Sequence, residues 1–276
     1  MQRTARTLLA LATLGCALPA AALEVRSELP GFSIVAADRL PAPRRPQAFE
    51  RGHFCANLRI TPATAAGREA ARLGWTVTSE QTRAGYTAVG AFSRGGQGTS
   101  GTCLVEDGNV VLYRGARVVA IVYEAAGAGG RIGGVVPALS PDRLRIPDFT
   151  PAGFETADLL LAANAVAVVP IAASETACGN LPVPNLRGKT VAQVRKAIAP
   201  LGWRPDGDAG DGDANPLDAA VQLRRQGQTE FGSCSGTGYG FCSVAYRHRG
   251  GARLEITTVG DDYSVGTYAV QCPGGR

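Results

Sequence analysis

The sequence predicts an α+β fold of two disulfide-containing units, each a helix packed on an antiparallel sheet. Three observations carry that expectation. Glycine supplies 36 of 276 residues, about 13% against a usual ~7%, which suits tight turns and short strands because glycine is costly inside helices. Short apolar–polar alternations recur between these glycines. Two capped stretches with helical apolar spacing each end in Leu-Gly-Trp, at Leu73–Trp75 and Leu201–Trp203. With 45% hydrophobic and 18% charged residues and a mean hydropathy of +0.01, the chain reads as globular rather than disordered, collagenous or coiled-coil.

The first 22 residues read as a secretory signal peptide. Arg3 and Arg6 form a positive start, Leu8–Leu18 an apolar middle, and Ala20, Ala21 and Ala22 a small-residue cleavage site. Gly15-Cys16 resembles the end of a lipobox, but Thr13 stands where an aliphatic residue is wanted. Removing Arg3 and Arg6 lowers the formal charge from +5 to +3, too mild to imply nucleic acid. The run Leu159–Ala173 is broken by Asn164 and Pro170 and falls short of the ~18 residues of a membrane span. The expected location is therefore periplasmic or secreted.

Six cysteines remain: Cys55, Cys103, Cys178, Cys234, Cys242 and Cys272. An even number in an exported chain reads as disulfides, and six allow ~15 pairings among which sequence alone does not choose. Local spacing favours Cys55–Cys103 and Cys234–Cys242, leaving Cys178–Cys272. Zinc is disfavoured because there is no CxxC pair and there are only two histidines. His53 and Cys55, two apart, are read as sharing a strand face rather than as a nucleophilic pair.

Residues 23–50 are read as an N-terminal extended segment, with one or two short strands over 24–36 and a stiff connector at Pro41, Pro43 and Pro46. The first unit, 51–175, opens with Thr61 as N-cap and Pro62 at the first helical position, and Gly74 closes that helix. WTVTSE and YTAVGAF alternate as strands. Asp107-Gly108 is expected to turn a hairpin between TCLVE and NVVLY, and ARVVAIVYE adds a strand. Residues 125–155 read as an interdomain region that holds the further strands RIGGVV and RLRI. The run from Ala157 to Ala173 is read as a short helix, then a strand at Val166–Ile171.

The second unit, 176–276, has Thr190 and Gln193 as a capping box and Val191, Val194, Ile198 and Leu201 as one apolar stripe. Gly202 ends that helix, and the strands FCSVAYRH, ARLEITTVG and SVGTYAVQC follow, with Gly250-Gly251 turning the first hairpin. The shared order of cysteine, helix, Gly-Trp and strands reads as an old duplication.

Val183-Pro184-Asn185-Leu186, with Gly188, Thr190, Val194, Ile198, Gly202 and Trp203, resembles the opening of a PASTA domain over about 21 residues. The resemblance implies an extracellular module that binds peptidoglycan stems or β-lactams. The family's downstream proline and glycine pattern is missing here, and Cys234, Cys242 and Cys272 are extra. Gly202-Trp203-Arg204-Pro205 and the loop Cys234–Cys242 (Cys-x-Gly-Thr-Gly-x-x-x-Cys) are also similar to segments of secreted bacterial proteins, which brings no activity with it.

Other constellations have plainer readings. Asp206, Asp208, Asp211, Asp213, Asn215 and Asp218 could surround calcium, but Pro216 and Gln222 replace the glycine and glutamate of an EF-hand loop, so a solvated acidic loop is expected. Gly127-Ala128-Gly129-Gly130 imitates a dinucleotide fingerprint, yet Ile132 replaces its third glycine and Pro137 and Pro141 deny the helix. The loop CSGTGYGFC is read as a bridged turn rather than an anion nest. Ser100 forms no G-x-S-x-G elbow. Trp75 and Trp203 are read as core anchors. No cofactor, metal or catalytic set is expected. The expected function is a non-catalytic envelope protein binding peptidoglycan or an envelope partner; the alternatives are an inhibitor-like module for a periplasmic enzyme, and a hydrolase.

Overall fold

The computed structural model describes residues 23–98, 101–125, 132–149, 155–207, 218–235 and 238–274. The signal segment with Cys16, Ser100, Gly127–Gly130, and Asp208, Asp211, Asp213 and Asn215 lie outside them.

The chain opens with β1 (Glu24–Ser27) and β2 (Phe32–Ala36), then α1 (Ala65–Arg72), β3 (Thr76–Arg83) and β4 (Tyr86–Phe92). Next come β5 (Arg94–Gln97), β6 (Cys103–Glu106), β7 (Asn109–Arg114), β8 (Arg117–Glu124), β9 (Val136–Pro137) and β10 (Arg143–Pro147). The pair β11 (Glu155–Ala162) and β12 (Ala165–Val169) precedes β13 (Ser174–Ala177) and β14 (Leu181–Pro184). The last part holds α2 (Val191–Ile198), β15 (Trp203–Pro205), α3 (Ala219–Arg225), β16 (Phe231–Cys234), β17 (Cys242–His248), β18 (Arg253–Val259) and β19 (Ser264–Gln271). The fold is mixed but predominantly β, with several antiparallel sheets.

The first unit departs from a single sheet under one helix. One sheet runs β2-β8-β7-β4-β3, and a second runs β1-β12-β11-β10-β9, with β1 parallel to β12. Tyr86, Ala88, Val110, Leu112, Ala120 and Val122 of the first meet Leu144, Ile146, Leu159, Val166 and Val168 of the second in one buried core. The other face of the first sheet carries α1 through Ala66 and Ala70, against Val77, Val89, Val111 and Tyr113. The glycine- and proline-rich stretch after β8 thus supplies β9 and β10 to the sandwich, and β1 and β2 join opposite sheets.

Four local expectations are corrected. The Ala157–Ala173 run has no helix: Ala157, Leu159 and Leu161 face the core at a period of two, and β11 and β12 form a hairpin. The cap of α1 is Thr64, whose hydroxyl accepts from the Gly67 amide at 3.0 Å, because the Glu80 carboxylate takes the Ala63 and Thr64 amides and keeps them outside the helix. Asp107-Gly108 is no hairpin turn. Strand β6 pairs β5, and Gly108 is required because a Cβ there would sit 1.5 Å from the Ile132 carbonyl oxygen of a crossing segment. His53 lies in no strand; its Nδ1 caps a 3₁₀ turn over Phe54–Leu58 by accepting the Cys55 amide at 3.2 Å.

Among its described residues the second unit has two α-helices, α2 and α3, where the sequence predicts one. The sheet runs β15-β17-β18-β19, with β16 also paired to β17. The Thr190–Gln193 capping box forms, and Val191, Val194 and Ile198 bury against Val244, Tyr246, Leu254 and Ile256. Trp203 is fully inside this core, whereas Trp75 is half-buried and donates its Nε1–H to the Pro41 carbonyl at 2.9 Å, strapping down the proline connector. Both units share one path: helix, edge strand after Gly-Trp, then an antiparallel meander, as β3-β4-β7-β8 and β15-β17-β18-β19. Their bridges differ, for Cys55 pairs Cys103 while Cys178 pairs Cys272, and Cys234 pairs Cys242.

Bridges restrict the unfolded chain in proportion to the logarithm of the loop they close. Replacing Cys178 and Cys272, 94 residues apart, by serine should cost about 4–5 kcal/mol, whereas the Cys234–Cys242 pair, 8 apart, should cost about 2–3 kcal/mol. Urea unfolding of the two double variants checks the order.

A second expectation concerns acid. Burial pushes the Glu80 carboxyl up, but hydrogen bonds from the Thr64 hydroxyl and the Ala63 and Thr64 amides outweigh it and hold the group below its ordinary value. Its stabilising contribution is therefore complete above about pH 4.3 and is lost as pH falls through the lower folded value. Glu80→Gln should lower Tm at pH 7, and the difference between the variant and wild-type Tm curves should shrink as pH falls below the ordinary carboxylate range.

Candidate functional site

Alternation along three strands of the second unit sends Val244, Tyr246, Leu254, Ile256 and Tyr268 toward the helices and their neighbours outward. The strand register aligns the outward residues in rows. Ser243, Thr257 and Thr267 form a row of hydroxyls; Ala245, Glu255 and Ala269 form a low row around one carboxylate. Arg204, Arg247, Arg253 and Gln271 form the third row, extended to the edge strand β15.

Across from this face stands the edge of the sandwich, contributing Val136, Pro137 and Pro147. Between them runs a groove of about 630 Å³. One wall is apolar and the floor is polar, at a boundary between two units where small-molecule and polymer sites commonly occur. At the arginine end it adjoins a recess of about 500 Å³ lined by Arg204, Asp206, Arg247, His248 and Arg249.

The polar groups are held in place. Glu255 accepts from Arg253 at 2.7 Å and from the Gln271 amide at 2.8 Å. Asp206, only 4% exposed, accepts from Arg253 Nε at 3.0 Å and from Arg247 at 3.2 Å. Asp206 is thus bound to guanidinium groups, and Asp218 caps α3 by accepting the Ala220 amide at 2.8 Å, so the two ends of the acidic loop serve the fold.

The groove depends on how the sandwich edge is anchored. Arg145 (β10) donates to Asp158 (β11) at 2.9 Å and to Glu175 (β13) at 2.5 Å, and all three are buried. Glu175 also accepts the Ser140 amide at 3.1 Å, and Asp158 that of Ala172 at 3.2 Å. Arg83 donates to the carbonyls of Ala138, Ser140 and Arg143. These contacts fix the β9–β10 connection and join the sandwich to the start of the second unit.

Both imidazoles serve the backbone. Besides His53, His248 accepts the Gly250 amide on Nδ1 at 2.9 Å, which leaves Nε2 to donate to the Leu201 carbonyl at 3.0 Å. Behind the sheet, the buried Glu230 accepts from Arg195 and from the Tyr246 hydroxyl, away from the groove. Burial, reinforced by Glu230, pushes the Tyr246 hydroxyl well above its ordinary value.

The six cysteines form three bridges, and of these only Cys234–Cys242 borders the groove, one residue before Ser243. Sequence reasoning missed Arg145, Asp158, Glu175, Arg253 and Glu255. A signal existed for the first two: a charge inside an apolar strand (Leu144-Arg145-Ile146, Ala157-Asp158-Leu159) must find a buried partner. No family, curated protein or solved structure matches the chain. Among the described residues, no helix is long and apolar enough to cross a membrane, and the three bridges fit an oxidising compartment.

The buried network gives a direct expectation. Arg145→Met would strand the buried Glu175 carboxylate and leave Asp158 only the longer pair with Arg143 at 3.5 Å, and should cost about 3–5 kcal/mol; replacing Asp158 and Glu175 by leucine in the same chain should recover much of it. Chemical denaturation of the single and triple variants is the measurement.

Proposed function

We propose that this chain is an exported, non-catalytic cell-envelope protein and that the groove holds peptidoglycan or an envelope partner. One observation carries the reading: an open sheet face with hydroxyl, carboxylate and guanidinium rows, set opposite an apolar wall. Such a surface offers many directional, individually weak contacts to a polar ligand lying along it. The use of both imidazoles on backbone groups supports binding over acid–base chemistry. The likeness of Val183–Trp203 to the start of a PASTA domain points to the same ligand class.

The test is retention on purified sacculi. The mature chain should sediment with them, and Ala269→Trp, which fills the groove from an exposed position, should cut retention at least tenfold at unchanged Tm. A folded wild-type chain that stays in the supernatant sinks the cell-wall reading.

A further inference from the structure

We infer that the arginine end of the groove is an anion subsite, and that the ligand of this face is an extended acidic glycan. The inference rests on the groove being the binding surface and goes beyond it by naming what the ligand must carry.

Arg204 lies directly opposite Arg247, and Arg247 directly opposite Arg253. Like charges facing each other across a sheet are destabilising, and Asp206, which binds both Arg247 and Arg253, offsets that repulsion in one of the two successive Arg–Arg pairs. The counter-charge present covers half of them. Asp206 serves Arg247 and Arg253, Glu255 serves Arg253, and Arg204 and Arg249 are both exposed and make no side-chain ion pair among the described residues. Among the described residues, these four guanidinium groups thus share two carboxylates, and three of them, Arg204, Arg247 and Arg249, line the recess of about 500 Å³ together with Asp206.

The recess geometry favours a linear anion. Adjacent strands are ~4.8 Å apart, so the row presents charge along a line about 10 Å long rather than around a point. Guanidinium forks match carboxylates in bidentate fashion. The same face continues into the Ala245–Glu255–Ala269 row, where small side chains leave room, and then the Ser243–Thr257–Thr267 hydroxyls, which suit a ligand rich in hydroxyl groups. A chain of sugars bearing acid groups satisfies both ends; a bare polyanion satisfies only one.

The experiment titrates the mature chain with fluorescent oligogalacturonate, neutral chitohexaose and polyphosphate. Oligogalacturonate should bind at least tenfold more tightly than either of the others and weaken as salt rises. Arg204→Glu combined with Arg249→Glu should reduce that affinity at least tenfold while Tm is no lower than that of the wild type, because the change replaces a like-charge pair opposite Arg247 by an opposite-charge one. Equal binding of chitohexaose, equal binding of polyphosphate, or indifference to the arginine changes would each overturn the inference. The two readings separate cleanly. Loss in the arginine variant with Ala269→Trp unaffected keeps the anion subsite and removes the groove; loss in Ala269→Trp alone does the reverse.

Discussion

The buried contact of Arg145 with Asp158 and Glu175 is the joint on which the rest of the molecule depends. Three charges removed from water are tolerable only when each finds a close partner and further hydrogen bonds, and here the amides of Ser140 and Ala172 complete the set. Because Glu175 belongs to β13 and Arg145 to β10, the network joins the end of the sandwich to the start of the second unit. An apolar contact at this place could slide; a desolvated guanidinium held by two carboxylates on different strands fixes an orientation. The β9–β10 edge therefore stands at a set distance from the second sheet, and the space between them is a groove rather than a hinge.

The two units show how one chain path is finished in two ways. In the first, the face opposite the helix carries Tyr86, Val110, Leu112 and Val122, and burying each large apolar side chain gains about 1.5–3 kcal/mol. That gain recruits a whole second sheet. The matching face of the second unit carries Ser243, Arg247, Arg253, Glu255, Thr257 and Thr267, whose burial would cost rather than gain. Among the described residues no second sheet covers it, and the face stays open. Tyr113 shows the cost of covering a polar group: burial pushes its hydroxyl up to about 12, and the oxygen finds no partner among the described residues.

What the sequence made legible was local. The Thr190–Gln193 box, the stripe Val191–Ile198, and the alternation in β3, β4, β8 and β17–β19 are each decided within a few residues. Misreadings arose where a distant group decided the outcome. Thr61 and Thr64 look equally able to cap α1, and the choice falls to Glu80, sixteen residues beyond Thr64. Asp107-Gly108 has the composition of a hairpin, but the passing Ile132 carbonyl explains the glycine. The candidate site was the least legible feature, because its rows exist only through strand register, and register is a property of pairs of strands. Arg204 is far in the chain from Arg247 and Arg253, and all three are unremarkable singly.

Gly202 shows how closely that register is tied to the rest of the unit. Its φ of 92° ends the 3₁₀ turn after α2 and starts β15, the strand that brings Arg204 against Arg247. A Cβ at Gly202 would come within 3.1 Å of His248 Nε2 and 3.2 Å of Arg249 Nε. The same His248 holds the turn at Gly250 on one nitrogen and faces Leu201 on the other. The residue that closes the helix and the imidazole that fastens the turn thus form one corner, beside which lie Arg204 and Arg249, neither of them in a side-chain ion pair among the described residues. That corner sets the backbone from which Arg204 and Arg249 project, so an anion bound there would have only the two side chains to order. Asp206 bridges Arg247 and Arg253, whereas the Arg204–Arg247 pair has no such bridge among the described residues, so an anion bound beside Arg204 would relieve a repulsion that the fold already bears.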